Sequence, residues 1–441
     1  MTSENYRDLE LEGLKDTGLQ AFMLHKLGRE NPVRILQASQ SVIDVLKGFD
    51  PPLALRTLDR LVETMGAKFV PFLQQLLKHD DRPIIRARVL YHLSRKDPSE
   101  STQRILNQVL NGIDHPRVRA SCLSGLSRVR SKIPLKHIKS HLLNEDPRVR
   151  ASALELLLAH DIKGMKEVFT LLLNDESPRV KALAATGLWR LGDPQLLDLV
   201  RDAEEPNLRR SLLHALRETG RDMKARTLLM DALGSSDETI RSIAATSLTK
   251  VAETEDIPQL IARAVRLPGR ETKLEIIRGL KSVDPFYTAR IIHSMIDRVD
   301  RRRDPRDLSS LITMAGELSS DLDLEQLSSY LDAGDGRVRA NAIEVIGPRL
   351  RGDSRLRLIG ALESEFPRVR ANAAIVLWRA GYHIAMVELN RMLSDEKAVK
   401  RASSAYALGQ IGGLVVESKL KRALEDSDER TRRLAYQALA A

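Results

Sequence analysis

The chain has 441 residues, of which 42% are hydrophobic, 29% charged and 4% aromatic; this is too apolar and too long for a disordered tail. At roughly 150 residues per domain it suggests about three globular domains, unless it is a repeat array, which stays one structural unit at any length. Fifty Arg and twenty Lys against sixty Asp plus Glu give a formal charge of +10, a balance that favours acidic partners.

Residues 1–20 carry Glu4, Asp8, Glu10, Glu12 and Asp16 without an apolar block of signal-peptide length. No later run approaches the roughly 18 uncharged residues of a membrane span, so membrane insertion is not expected. Segments 19–27 and 32–47 read as one or two helices, and residues 1–50 are expected to form a polar tail and an N-terminal cap. The lone Cys122 excludes an intrachain disulfide or a Cys-built zinc site. The expected compartment is the reducing cytoplasm.

From about residue 50 the chain repeats itself. Asp146-Pro147-Arg148-Val149-Arg150-Ala151 recurs as His115-Pro116-Arg117-Val118-Arg119-Ala120, Ser177-Pro178-Arg179-Val180-Lys181-Ala182, Asp335-Gly336-Arg337-Val338-Arg339-Ala340 and Phe366-Pro367-Arg368-Val369-Arg370-Ala371, at a basic step of 31 residues. With the Val as position 0, further copies fall at Leu53, Ile85, Leu208, Ile240, Thr272, Asp307, Lys400 and Thr431, thirteen in all. Apolar residues at +4, +5 and +8, such as Ala184, Ala185 and Leu188, form one helical stripe, and a second short apolar run precedes each turn. Pro116, Pro147, Pro178, Pro305 and Pro367 suit the first helical turn, and Asp146, Asp237, Asp304, Asp335 and Asp428 stand at N-cap positions. Sustained period-two alternation is absent, so the chain is expected to be all-α. A helical pair of 31 residues cannot enclose a core, and each must complete its neighbour's.

The pattern resembles a HEAT repeat, and its D-x-P-x-V-R-A form is most similar to the short bacterial HEAT-like repeats also seen in phycobilin lyase subunits. The resemblance covers nearly 390 residues and implies a right-handed α-solenoid of about thirteen two-helix repeats over 51–441. It further implies ladders between repeats, with a basic column at Arg86, Arg119, Arg150, Lys181, Arg209, Arg241, Lys273, Arg339, Arg370, Arg401 and Arg432. The acidic or amide column is Asp80, Asn144, Asp175, Asp395 and Asp426, and Ile113, Ala203 and Leu308 break the two columns. Irregular joints are expected near 195–206, where a step shortens to 28 residues, and near 297–304, where one lengthens to 35. The last copy ends at Leu439-Ala440-Ala441 without a polar closing helix, which leaves an end open to self-association.

The expected function is a non-catalytic scaffold or adaptor that binds a protein partner, acidic in character, along an extended concave face. Contact positions lie at +3 and +6 of the second helix, among them Arg88, Tyr91, Ser152, Glu155, His214, Arg278, Asn341, Asn372 and Tyr406. Tyr91 and Tyr406 are the anchors, since amphipathic aromatics concentrate binding energy. Between His115 and Asn144 there is no acid, while Arg117, Arg119, Arg128, Arg130, Lys132, Lys136 and Lys139 accumulate, and Arg95 and Arg190 share the +10 position of Arg128. Nucleic acid is the alternative partner for this patch, because alkylpurine DNA glycosylases also use a HEAT-like fold. Trp189 and Trp378 share the +9 position but stand six copies apart, and they read as packing residues rather than one pocket. No phosphate-loop motif is present, and His137 and His141 lack the Glu of a zincin. No cofactor, metal or catalytic residue is expected.

Overall fold

The computed structural model describes residues 17–112, 115–130, 135–220, 222–299, 304–318 and 324–440. The polar stretch 1–16, Ile113, Lys132, residues 300–303 of the longer joint, Asp321-Leu322-Asp323 and Ala441 lie outside them. The described residues form α-helices and short 3-10 turns, with no strand among them. They fall into two units, Met1–Thr219 and Gly220–Ala441.

Each of the thirteen copies has a second helix that begins two residues before position 0, from Pro51–Met65 to Glu429–Ala440. Local chemistry fixes that start. Proline at the first helical position loses no hydrogen bond, because its missing N–H would have had no intrahelical acceptor. A carboxylate one residue earlier accepts from the first-turn amides: Asp50 from Leu53 N at 2.7 Å, Asp146 from Arg148 N at 2.8 Å, Asp335 from Arg337 N at 2.9 Å and Asp428 from Thr431 N at 2.8 Å. Asp304 stands at the same position, but its side chain makes no capping bond.

Within each unit the second helices lie side by side in chain order, and first helices pack on them. The stripe at +4, +5 and +8 fills the seam, as with Ala184, Ala185 and Leu188, all fully buried. Small residues set the approach. Ala151, Ala340 and Ala371 at +2 are buried, and a Cβ on Gly279 would stand 1.9 Å from Thr249 Cγ2 on the preceding second helix. Ahead of them, residues 17–48 form helices Thr17–Glu30, Pro32–Gln37 and Ser39–Gly48, and the first of these packs on Pro51–Met65.

The short step yields a first helix of 8 residues, Gln195–Asp202, and a second helix, Pro206–Ala215, that tightens into the 3-10 turn Leu216–Thr219. At the longer step the first helix Pro285–Arg298 packs on Pro305–Ala315 and also on the preceding first helix, Ile257–Arg266.

Candidate binding surface on the second helices

The +1 arginines are structural. Arg150 directs Nε and Nη2 to the Asp175 carboxylate of the next repeat at 2.7 and 2.9 Å, and Nη1 to the carbonyls of Asn144 and Glu145, both at 2.8 Å. Arg401 repeats the fork, reaching Asp426 at 2.9 Å twice and the carbonyls of Asp395 and Glu396. Burial alone pushes the Asp175 carboxyl up, but the bonds from Arg150 and Ser177 outweigh it and hold the group below its ordinary value. Hydrogen bonds from Arg401 do the same for Asp426. These guanidiniums are spent on joining repeats.

What remains for recognition is the face at −1, +3, +6 and +10. In the first unit it gathers three arginines around one tyrosine. The Tyr91 ring, on Pro83–Lys96, has Arg88, Arg95 and Arg128 guanidinium carbons 5.7, 5.4 and 5.0 Å from its centroid. Arg95 also donates to the Tyr91 hydroxyl, and Arg128 Nη1 to Ser94 Oγ at 3.3 Å across the repeat boundary. Asp59, at +6 of the preceding repeat, lies 3.6 Å from Arg88 and 2.7 Å from His92. Burial nevertheless keeps the His92 imidazole below its ordinary value, against the pull of Asp59. Arg117 joins Tyr91 and Arg88 in lining a hollow of 280 Å³. The face can therefore hold an anion while stacking an apolar group on the ring.

Arg88, Tyr91, Arg95 and Arg128 are thus brought together, whereas the basic run 115–144 does not form one patch. Arg130 is exposed past the helix end at φ 49°. Lys139 is exposed on the first helix Leu135–Leu142, which packs on Pro147–Leu158, not on the second-helix face that carries Arg128. Lys132 lies outside the described residues, and of Lys136 only the backbone, in that same first helix, lies within them. Helical alternation divides the run, because charges crowded in sequence are dealt to opposite layers.

A groove of 580 Å³ follows on the same face, lined by residues from Ser124 to Glu218. Its charges are matched internally. Glu155 accepts from Arg179 at 2.5 Å and from Ser124 at 3.1 Å, and Arg190 pairs with Glu218 and donates to Leu158 O at 2.7 Å. The sequence did not suggest these partners because they lie 24 to 31 residues apart, although the spacing of nearly one repeat was their signal.

In the second unit a groove of 760 Å³ is lined by Arg270, Arg337, Arg368, Arg430, Val399 and Tyr406, among others. Tyr406 is 38% and Val399 52% exposed. Trp189 and Trp378 belong to different units; both are half-buried, and Trp378 meets His383 edge-on at 5.6 Å.

The described residues contain no group of three or more His, Cys, Asp or Glu placed to hold a metal ion. Cys122 is buried, and burial pushes its thiol up to about 12, so it stays protonated at neutral pH. No described helix is long and apolar enough to cross a membrane.

The sequence matches the family described as HEAT repeats over residues 70–158, 194–281 and 355–440, more than half of the chain. The chain belongs to the HEAT-repeat family. Its HEAT fold is similar to solved structures at low identity. Kap121p is 13% identical at a TM-score of 0.45, over 99% of this chain and 62% of that one. The Kap121p complex with Nup53p gives 13% and 0.45 over 95% and 60%. The S. pombe condensin Cnd3-Cnd2 subcomplex gives 16% and 0.34 over 90% and 70%. This chain therefore spans less than two thirds of the Kap121p chains. No curated protein matches the sequence.

Proposed function

We propose that this HEAT-repeat chain is a non-catalytic scaffold that binds an acidic segment of a protein partner on the second-helix face around Tyr91, in a reducing, cytoplasmic setting. One observation carries the reading: Arg88, Arg95 and Arg128 converge on the half-buried Tyr91 ring, and of the three only Arg88 has a neighbouring carboxylate, Asp59 at 3.6 Å. Guanidiniums held against an aromatic face are ordered before the partner arrives. Little side-chain entropy is then lost on binding, and carboxylates can be gripped in forked geometry.

The test is fluorescence anisotropy of the full-length protein with a labelled Glu-rich peptide carrying one Leu, beside a duplex DNA of similar length. The peptide should bind, and Tyr91→Ala and Arg128→Gln should each weaken it by about 5- to 10-fold. Tighter binding of the duplex with a steep salt slope, reduced by Arg128→Gln, would make the face a phosphate-backbone surface instead.

A further inference from the structure

Position +6 of one second helix faces position −1 of the next, and the residue at +6 decides whether that arginine is free. Glu155 at +6 holds Arg179 at −1 of the following repeat. Glu344 at +6 lies 3.7 Å from Arg368 at −1 of the following repeat and 2.6 Å from Arg270. Two repeats put tyrosine at +6 instead: Tyr91, followed by Arg117, and Tyr406, followed by Arg430. Both arginines are exposed, and among the described residues no carboxylate pairs with either.

Around Tyr406 the substitution opens a longer groove. Its wall carries the −1 residues of four consecutive repeats, Arg337, Arg368, Val399 and Arg430. Each is the second residue of its helix, in Gly336–Ile346, Pro367–Arg379, Ala398–Ile411 and Glu429–Ala440. The positive ends of four helix dipoles therefore stand beside the row and add to its potential. Asp335 is the only acid in the lining, 3.6 Å from Arg337. Val399 breaks the row of cations, and Tyr406 and Leu434 extend it into an apolar floor.

We infer that this groove of the second unit is a second docking site, for an extended peptide with acidic residues at i, i+3 and i+9 and an aliphatic residue at i+6. The spacing follows from packing geometry. Neighbouring helices lie about 8 to 10 Å apart, and an extended chain advances about 3.3 Å per residue, so one repeat corresponds to about three peptide residues. Arg337 and Arg368 then meet the first two acids, Val399 with Tyr406 meets the aliphatic side chain, and Arg430 meets the last acid. A nucleic-acid strand, charged at every nucleotide, has nothing to set against Val399. The site deepens the reading that second-helix faces take acidic protein segments, but it rests on other residues.

The experiment measures anisotropy of the full-length protein with a labelled Gly/Ser peptide that carries Glu at i, i+3 and i+9 and Leu at i+6. A peptide of identical composition with its three Glu adjacent is the comparison. The spaced peptide should bind about 10-fold tighter, Arg430→Gln should remove most of that preference, and Arg430→Lys should restore part of it. Tyr91→Ala should leave the preference intact. Circular dichroism should show unchanged helicity for every variant, since the substituted positions are exposed or only half-buried. Equal affinity for both peptides overturns the inference. So does loss of the spaced peptide with Tyr91→Ala but not Arg430→Gln, which would confine binding to the first unit and leave the earlier proposal standing. Binding of a phosphoserine peptide or duplex DNA that exceeds the spaced peptide and falls with Arg430→Gln also overturns it, in favour of a phosphate site.

Discussion

The groove of the first unit that runs from Ser124 to Glu218 and the groove of the second unit around Tyr406 are built from the same register positions, yet they differ in available charge. In the first, Arg179 is taken by Glu155 and Arg190 by Glu218. In the second, Glu344 engages Arg368 and Arg270, and then Tyr406 leaves Arg430 unmatched. A repeat fold fixes where side chains stand. Which of them are free is set one position at a time, and a single residue at +6 turns a neutralised surface into a receptive one.

The largest effect is expected where the two units agree. Arg150 and Arg401 make the same fork to the next repeat, through side chains only 10% and 15% exposed, onto carboxylates 7% and 11% exposed. Arg150→Met removes the bidentate partner of a buried carboxylate, and chemical denaturation should show a loss of about 3 to 5 kcal/mol. Arg401→Met should cost somewhat less, because its pair is better solvated. A loss below about 1 kcal/mol in both would mean that the ladder ornaments the repeat rather than joining it.

Second in size is an exchange of the groove character itself. Tyr406→Glu places at +6 the residue that the repeat of Glu344 already has, and the new carboxylate should capture Arg430. Affinity for an acidic peptide in the second unit should fall about 10-fold, or about 1.4 kcal/mol, with the unfolding midpoint nearly unchanged. An unaltered affinity would break the +6 to −1 rule.

Periodicity made the fold legible. Thirteen register positions mark thirteen second helices, and proline and aspartate near position 0 carry enough local chemistry to fix where each begins. The +1 arginine column was visible for the same reason. The surface was only partly legible. Tyr91 and Tyr406 stand out by type, and Arg95 and Arg128 by shared register. The run of positive charge at 115–144 pointed to one patch, and the fold divides it, since Arg128 ends a second helix and Lys139 rides on a first helix. The matching of Glu155 with Arg179 was hidden because it crosses a repeat boundary, where neither residue is near the other in sequence.

The units should also part on acidification. Burial holds His25, His92, His141 and His214 below the ordinary imidazole value, and all four lie in the first unit. The unfolded chain takes up these protons near pH 6.5, whereas the folded unit resists them until lower pH. Their contribution to stability is therefore complete above about pH 6.5 and is lost as pH falls from there through the folded values. Hydrogen exchange between pH 7 and 5, corrected for intrinsic rates, should show protection falling in helices such as Pro83–Lys96 before it falls in Pro367–Arg379. A uniform loss across both units would sink this distinction.

The smallest effect tests whether a neutralised groove can be opened. Arg179 is 58% exposed, so its pair with Glu155 contributes little to stability, and Glu155→Gln should change unfolding by less than about 1 kcal/mol. The glutamine amide can still reach Ser124, which preserves the local hydrogen bonding. What changes is the charge presented: Arg179 no longer faces a carboxylate, and the groove gains one unit of positive potential. A Glu-rich peptide should bind about 2- to 3-fold tighter at low salt, with the gain vanishing near physiological ionic strength because the site is open to screening. Affinity that stays constant at low salt would show that the tyrosine at +6, and not merely the absence of glutamate, makes the second groove receptive.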